Sequence, residues 1–446
     1  MAVIQNGMVH FAFKTMNNYR LFYNLLANHL LANITNMFVW FAITFWVFLQ
    51  TQSVLATSWI AGIFAVASMF GGVIFGPIVD HERKKTAMVH SSIISLVFYT
   101  IGAAVYFTAD PSTFSNPKEP LLWIFIIIMM IGTVAGNLRT IALSTSVTML
   151  FDENRDKVNG LVGATQGITF AITSVLSGLV IGFFGIGVAI IGALVSTVIV
   201  LLHMHTVTIH EEKIVHLEKP KHFDFKRTFA MILLVPGLFG LIIFNTFNNF
   251  LGGVFMALMD AYGLSMVSVQ TWGTLWGVFS LAMIAGSIYV TKYGVGTTPL
   301  RRIMILNLIM WGMSIIFPLQ PSVILLSIAM LIWLALSPIV EAAEQTVLQN
   351  VVPFENQGRV FGFAQSVESA ASPITTFLIG PLAQFVFIPF MTTGVGVTLI
   401  GGWFGTGPAR GIALVFITAA ILGVIATFLA WNSKSFTELS NHHTEV

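Results

Sequence analysis

Gly71-Gly-Val-Ile-Phe-Gly76-Pro-Ile-Val-Asp80-His-Glu-Arg83-Lys84-Lys85 closes one long apolar segment and turns, through a dense run of charge, into the next. A bend this polar between two spans this apolar belongs at a membrane surface, because charged groups are costly in hydrocarbon. Gly72 and Gly76 form a small-xxx-small pair that lets a neighbouring helix approach closely. The bend then sets Asp80 among the bases Arg83, Lys84 and Lys85.

Composition supports the same class. Of 446 residues, 56% are hydrophobic and 9% charged, a balance that no soluble domain of this size tolerates on its surface. With no cysteine there is neither a disulfide nor a thiolate metal site to propose. Twenty Lys and Arg against 18 Asp and Glu exclude a strongly basic nucleic-acid surface, so no nucleic-acid partner is expected. The first residues lack a basic stretch followed by a short apolar core and a small-residue cleavage site, so the first apolar segment reads as a retained helix.

Windows of about 20 residues, the length that crosses roughly 30 Å of hydrocarbon, place spans at 21–49, 55–79, 86–108, 121–149, 158–183, 186–206, 229–256, 266–290, 303–319, 322–350, 359–386 and 411–432. The fold class is therefore all-α integral membrane, with twelve transmembrane helices. Seventeen Lys and Arg fall in alternate connections or tails, Lys118 and Arg410 lie on the other side, and Arg139 sits inside a span. By the positive-inside rule both termini are cytoplasmic and the protein is a multi-pass protein of the cell membrane. His210 to Arg227 is the one long charged stretch between spans, and it divides the chain into two six-helix halves. The expected organisation is a cytoplasmic segment 1–20, a half 21–206, a linker 207–228, a second half 229–432 and a tail 433–446. Ala285 to Arg302 stands after the eighth span as Gly71 to Lys85 stands after the second, a weak repeat that predicts pseudo-symmetric halves around a midplane site. Ile388 to Ala409 is glycine-rich and almost uncharged, and either lies in the interface or folds back into the external mouth.

Polar residues inside the spans are the functional candidates. His29, Asn33 and Asn36 share one face of the first span, and Asn245, Asn248 and Asn249 follow the middle of the seventh. Facing each other they would line a substrate cavity; singly, each would serve as packing glue between helices. Trp272 and Trp276 could add an adaptable apolar wall, or simply pack in the core. Glu368 lies about ten residues into the eleventh span, near the bilayer centre, where a carboxyl group must take a proton, face water or meet a cation. Glu341 and Glu344, at i,i+3 after Pro338, share a face. Arg139 needs a partner, and these three glutamates are the acids placed within spans. The expectation is that Arg139 pairs with one or more of them in one access state and separates in another. His203, His205, His210, His216 and His222 match no zinc spacing, so no metal is expected.

The opening stretch resembles the loop signature Gly-x-Leu-Ala-Asp-Arg-x-Gly-Arg-Lys of the major facilitator superfamily, with Gly76, Asp80, Lys84 and Lys85 in register, His81 in place of Arg and Arg83 in place of Gly. Gln349-Asn-Val-Val-Pro353-Phe-Glu-Asn-Gln-Gly358-Arg359-Val-Phe-Gly-Phe-Ala-Gln365 is similar to the segment between helices ten and eleven of macrolide-efflux and other proton-driven drug exporters of that superfamily. The resemblance implies that Gly76, Asp80, Arg83, Lys84 and Lys85 form a cytoplasmic gate loop that latches the two halves, and it adds Gln365 to the cavity candidates. The Arg that proton antiporters carry early in helix four falls at Met129, and no Gly-Pro signature is present in Gly167 to Gly182.

No nucleophile elbow, zinc-protease motif or Walker loop is present, so the chain is not expected to be an enzyme or to need a cofactor. The reading is a monomeric, lipid-embedded secondary exporter of lipophilic or amphipathic small molecules, with protons as the coupling ion and alternating access of two halves. The alternatives are a specific solute or lipid transporter on the same fold, a membrane enzyme acting on lipid, and a non-transporting receptor.

Overall fold

A computed structural model describes the backbone of residues 2–151, 155–209, 225–352 and 354–445. Side chains are described within these, except 2–17, 70–74, 76–78, 80–81, 144, 148, 155–161, 163–164, 225–228, 354–359, 362 and 443–445. The described chain is helical: α1 (Ala2–Thr51), α2 (Val54–His81), α3 (Lys84–Thr108), α4 (Pro120–Val134), α5 (Gly136–Leu150), α6 (Arg155–Phe183), α7 (Gly185–Thr206), α8 (Phe225–Leu234), α9 (Leu238–Leu264), α10 (Val269–Tyr293), α11 (Pro299–Ile316), α12 (Val323–Val351), α13 (Phe354–Leu382), α14 (Ile388–Thr392), α15 (Val395–Leu399), α16 (Gly401–Phe404), α17 (Pro408–Trp431) and α18 (Lys434–Glu445). Eleven of these stretches are long and apolar enough to cross a membrane, and Val54–Met69 of α2 is a shorter apolar one. The twelve-span expectation and these helices therefore agree.

Local chemistry sets the helix ends. Ser268 and Ser322 accept the Thr271 and Leu325 N–H groups at 3.3 Å and start α10 and α12, while proline opens α4, α11 and α17. Gly294 stops α10 with a φ of +65°. Between α3 and α4, Asp110 accepts the Ser112 N–H at 2.8 Å, and these hydrogen bonds hold its carboxyl below the usual carboxylate range.

Two departures from the spans read in sequence matter. The fourth span bends at Ala135, which separates α4 from α5. The seventh begins at Leu238 rather than 229, because Pro236 lacks an N–H and Gly237 adopts a φ of +76°. Its far end therefore reaches Leu264 and takes Asp260 inside the span.

The chain groups into two compact units, Met1–Trp46 with Val66–Lys219, and Val47–Ala65 with Pro220–Val446. In the first, α3 packs on α4, α5 and α7. Leu25, Ala87, Met88, Leu138, Ala142, Leu143 and Met204 form an apolar cluster there. A second aromatic cluster joins Trp46, Tyr106, Phe114 and Phe125 with ring centroids 5.5–6.1 Å apart. In the second unit α9 packs on α13 and α17, and α12 on α10 and α11. Burial of apolar surface cannot drive these contacts in lipid, so close van der Waals fit must. Small residues supply it: Gly286 faces the Ala335 carbonyl, Gly253 faces Ser372 and Thr375, and Gly263 lies under the Trp272 ring. The lipid-facing side shows the opposite pattern, as where α7 exposes Val188, Ile191, Val195, Ile199 and Leu202.

The segment after α13 is folded into the short helices α14 to α16 rather than extended. Gly407 N–H donates to Met391 O at 2.8 Å. Arg410 donates to Pro318 O at 2.7 Å and Leu319 O at 3.0 Å, with its guanidinium 3.9 Å from the Phe404 ring centroid. The tail expected to follow the last span is the helix α18. Its Leu439 is buried with Ile232, Leu238, Val347, Leu348, Val351 and Phe363, and its Ser435 lies directly against Gly237 and Gly240. Gly237→Ala is accordingly expected to destabilise this unit by more than the roughly 1–2 kcal/mol of a left-handed alanine, since the new methyl would also displace α18. Thermal unfolding of the purified variant checks it, and an unchanged midpoint would contradict the packing of α18 on this break.

Candidate functional site

The first unit holds a fully buried polar cluster around Arg139. Its guanidinium donates to Asn28 Oδ1, to Ser92 Oγ and, at 2.8 Å, to Met88 O. Asn28 donates in turn to Val200 O at 2.9 Å and lies 2.9 Å from His203 Nδ1. These acceptors are all neutral, and they belong to helices α1, α3 and α7 of the same unit. The sequence reading expected an acid beside Arg139, whereas carbonyl, amide and hydroxyl oxygens hold it here. Hydrogen bonds to a charged donor are the strong kind, and a convergent set of them lets an ionised group remain in a span.

His29 is 2% exposed, with Nδ1 unpartnered. Asn36 is also buried and accepts the Tyr99 hydroxyl at 2.8 Å, while Asn33 donates to Thr169 Oγ1 at 3.5 Å. The three residues share a face as the spacing predicts, but that face packs on α3 and α6, and Asn36 lies against Gly136 at the α4–α5 bend. A water-sized cavity lined by Thr35, Asn36, Ser91, Ser92, Ser95 and Arg139 adjoins them. The hydroxyls of Thr35, Ser91, Ser92 and Ser95 donate to backbone carbonyls, so they offer lone pairs to whatever enters.

The second unit holds the carboxyl cluster. Glu344 of α12 and Glu368 of α13 are close enough for their carboxyl groups to interact, with the Asn245 amide of α9 beside Glu344, and the Asn245 Nδ2 is buried without a hydrogen bond. Three helices thus bring together an acid from each of two sequence stretches and one of the predicted asparagines. Glu368 Oε1 is buried without a hydrogen bond. Glu341 lies one helical turn before Glu344 on the same face, is exposed, and accepts the Ser337 hydroxyl at 3.3 Å. Two neighbouring carboxylates repel, and a proton taken up by one of them removes the repulsion. Such a pair can therefore take up and release a proton as its access to water changes.

The remaining candidates are dispersed. Asn248 accepts the Trp311 indole N–H at 2.8 Å and donates to Phe244 O, whereas Asn249 and Gln365 are exposed. Trp272 is wholly buried against Gly263 and Trp276 is half-buried, and both indoles donate to Asp260 Oδ1 at 2.9 Å. In the charged bend, Lys84 donates to Val79 O at 2.6 Å, and Lys85 donates to Val207 O at 2.6 Å and His205 O at 3.2 Å. These two bases close the ends of α2 and α7 within the first unit, and Arg83 is exposed. The surroundings of Gly76 and the side chain of Asp80 lie outside what is described. His210, His216 and His222 lie outside the described residues.

Sequence reasoning missed two residues, Asn28 and Asp260. Asn28 lies one position off the face read from His29, Asn33 and Asn36. Asp260 fell in a connection because the seventh span was started nine residues too early; the Pro236-Gly237 pair was the signal that could have moved it.

Residues 25–376 match the model of the Major Facilitator Superfamily. Macrolide efflux protein A of Streptococcus pyogenes is 22% identical over 385 residues, covering 81% of this chain and 89% of that protein. Among solved structures, a variant of the nucleoside transporter NupG superposes with a TM-score of 0.69 at 10% identity, covering 92% of this chain and 100% of that one. The D-xylose-proton symporter superposes with a TM-score of 0.65 at 12% identity, covering 92% and 97%.

Proposed function

This chain belongs to the major facilitator superfamily and is a membrane transporter rather than an enzyme, and on that premise we propose that it exports lipophilic or amphipathic small molecules in exchange for protons. The observation that carries the proton part is the Glu344–Glu368 pair beside Asn245. It is a protonatable site inside the span region, built from three helices, with a buried Glu368 carboxyl oxygen that has no hydrogen-bond partner. The similarity to Macrolide efflux protein A supports export and a bulky, largely apolar substrate. Both termini face the cytoplasm in this reading, on the seventeen-to-two distribution of Lys and Arg. The protein works as a monomer in the plasma membrane, and its two halves expose the substrate site alternately to either side. Arg139 acts from within the first half, where its neutral cradle can hold or release the guanidinium as α1, α3 and α5 shift.

Export of a fluorescent lipophilic dye from inverted vesicles under an imposed pH gradient tests this reading. Export should rise with the gradient and collapse when a protonophore removes it. Export that continues unchanged without the gradient would exclude proton drive, and a sodium-coupled or downhill carrier would replace it.

A further inference from the structure

One buried acid has no part in the exchange described so far. Asp260 lies in the last turns of α9, 7% exposed, and the indole N–H groups of Trp272 and Trp276 both donate to its Oδ1 at 2.9 Å. The two rings, one helical turn apart on α10, meet at 72° with centroids 5.8 Å apart, and Phe279 closes the third side 5.9 Å from Trp276. The carboxyl group is therefore fixed by two neutral donors, and no basic side chain is among its partners. Both bonds converge on one oxygen, leaving Oδ2 as the atom that can carry a proton. Protonation at Oδ2 breaks neither indole bond, because Oδ1 keeps accepting as a carbonyl oxygen. A carboxyl group held this way exists in either charge state without rearranging its neighbours.

We propose that Asp260, held by Trp272 and Trp276, is a second proton site in this transporter, at the opposite end of α9 from the Glu344–Glu368 pair. Asn245, beside that pair, precedes Asp260 by 15 residues, about 22 Å of helical rise. On the topology proposed above, Asp260 is near the external end of α9 and the glutamate pair of α12 and α13 lies beside its internal part. A proton-loading group would then lie beside each end of α9, Asp260 on α9 itself at one end and the glutamates of α12 and α13 at the other. The ionisable groups on the elements packed against this end of α9 are Tyr262 on α9 itself and Arg410 at the start of α17. Glu368 of α13 is nearer to the level of Asn245, and the described parts of α10 and α11 place their charged residues at the far ends, Lys292, Arg301 and Arg302.

The proposal deepens the proton-exchange reading and takes its inside–outside sense from it, but its test needs no transport. Intrinsic tryptophan fluorescence of the full chain in nanodiscs is followed from mildly acidic to mildly alkaline pH. Two of the ten tryptophans donate to this carboxyl group, so its ionisation should change their emission. The expected result is a single transition that is lost in Asp260→Asn and retained in Glu368→Gln. Trp276→Phe should shift it and reduce its amplitude. Emission that does not respond to pH in the intact protein, or a transition that survives in Asp260→Asn, overturns the proposal and leaves Asp260 as a fixed pin between α9 and α10. Should Asp260→Asn fail to fold, an unshifted transition in Trp276→Phe is equally decisive against it. If vesicle export proves independent of pH while this transition is found, the proton site stands and the exchange reading alone falls.

Discussion

Glu368→Gln is expected to abolish accumulation driven by a pH gradient while leaving downhill exchange of substrate in place. The amide has the shape of the acid, so the helices α12 and α13 should keep their packing. It has no proton to exchange. A gradient of one pH unit supplies about 1.4 kcal/mol per proton, which sustains about a tenfold accumulation of substrate for one proton exchanged. The variant should fall to a ratio near one, a difference far beyond the scatter of a vesicle assay. Glu344→Gln should fall less, because Glu368 then keeps a protonatable group with an amide neighbour. Retention of a tenfold ratio in Glu368→Gln would remove the pair from the mechanism.

Arg139→Ala should be the most destabilising single change in the first unit. Two effects oppose one another. A buried cation without a counter-ion carries a large desolvation penalty, so its removal can be neutral when apolar groups replace both partners. Here only one partner would go. Asn28 Oδ1 would lose its donor, at about 1–3 kcal/mol for an orphaned buried group, Met88 O would keep the Ser92 hydroxyl, and truncating so large a side chain opens a cavity on top of that. The sum, of the order of 3–5 kcal/mol, outweighs relief of the desolvation penalty. A lowered unfolding midpoint in nanodiscs is the expected result, with Arg139→Lys falling between. Full stability of Arg139→Ala would show that the three acceptors find other partners.

The spans were legible in the sequence because hydropathy measures what the bilayer itself selects, and the class followed from the bend at Asp80 to Lys85. Side-chain partnerships were less so. The i,i+3 spacing of Glu341 and Glu344 correctly puts them on one face, but the group that Glu344 meets is Glu368, on another helix, and no periodicity within α12 can name it. For Arg139 the spacing of residues named only acids as partners, whereas its partners within the first unit are neutral oxygens. Helix ends and hydroxyls also present oxygen lone pairs, and several of these can do the work of one carboxylate. Trp272 shows the reverse case, since an aromatic that suits a pocket wall is packed over Gly263, a glycine nine residues before it in the chain. The register of the seventh span depended on two residues, Pro236 and Gly237, which a hydropathy window averages away.

The docking of Leu439 and Ser435 on the start of α9 also has a consequence for biosynthesis. Gly237 leaves the ribosome 202 residues ahead of Leu439, which at 5–20 residues per second is roughly 10–40 s. Through that interval the apolar patch of Ile232, Leu238 and Leu241 has been made but its cover has not. The second half of the chain therefore inserts helix by helix while one of its packing surfaces stays open, and it can close only when synthesis is nearly over. Membrane chaperones and quality-control proteases have that window in which to act on the nascent protein.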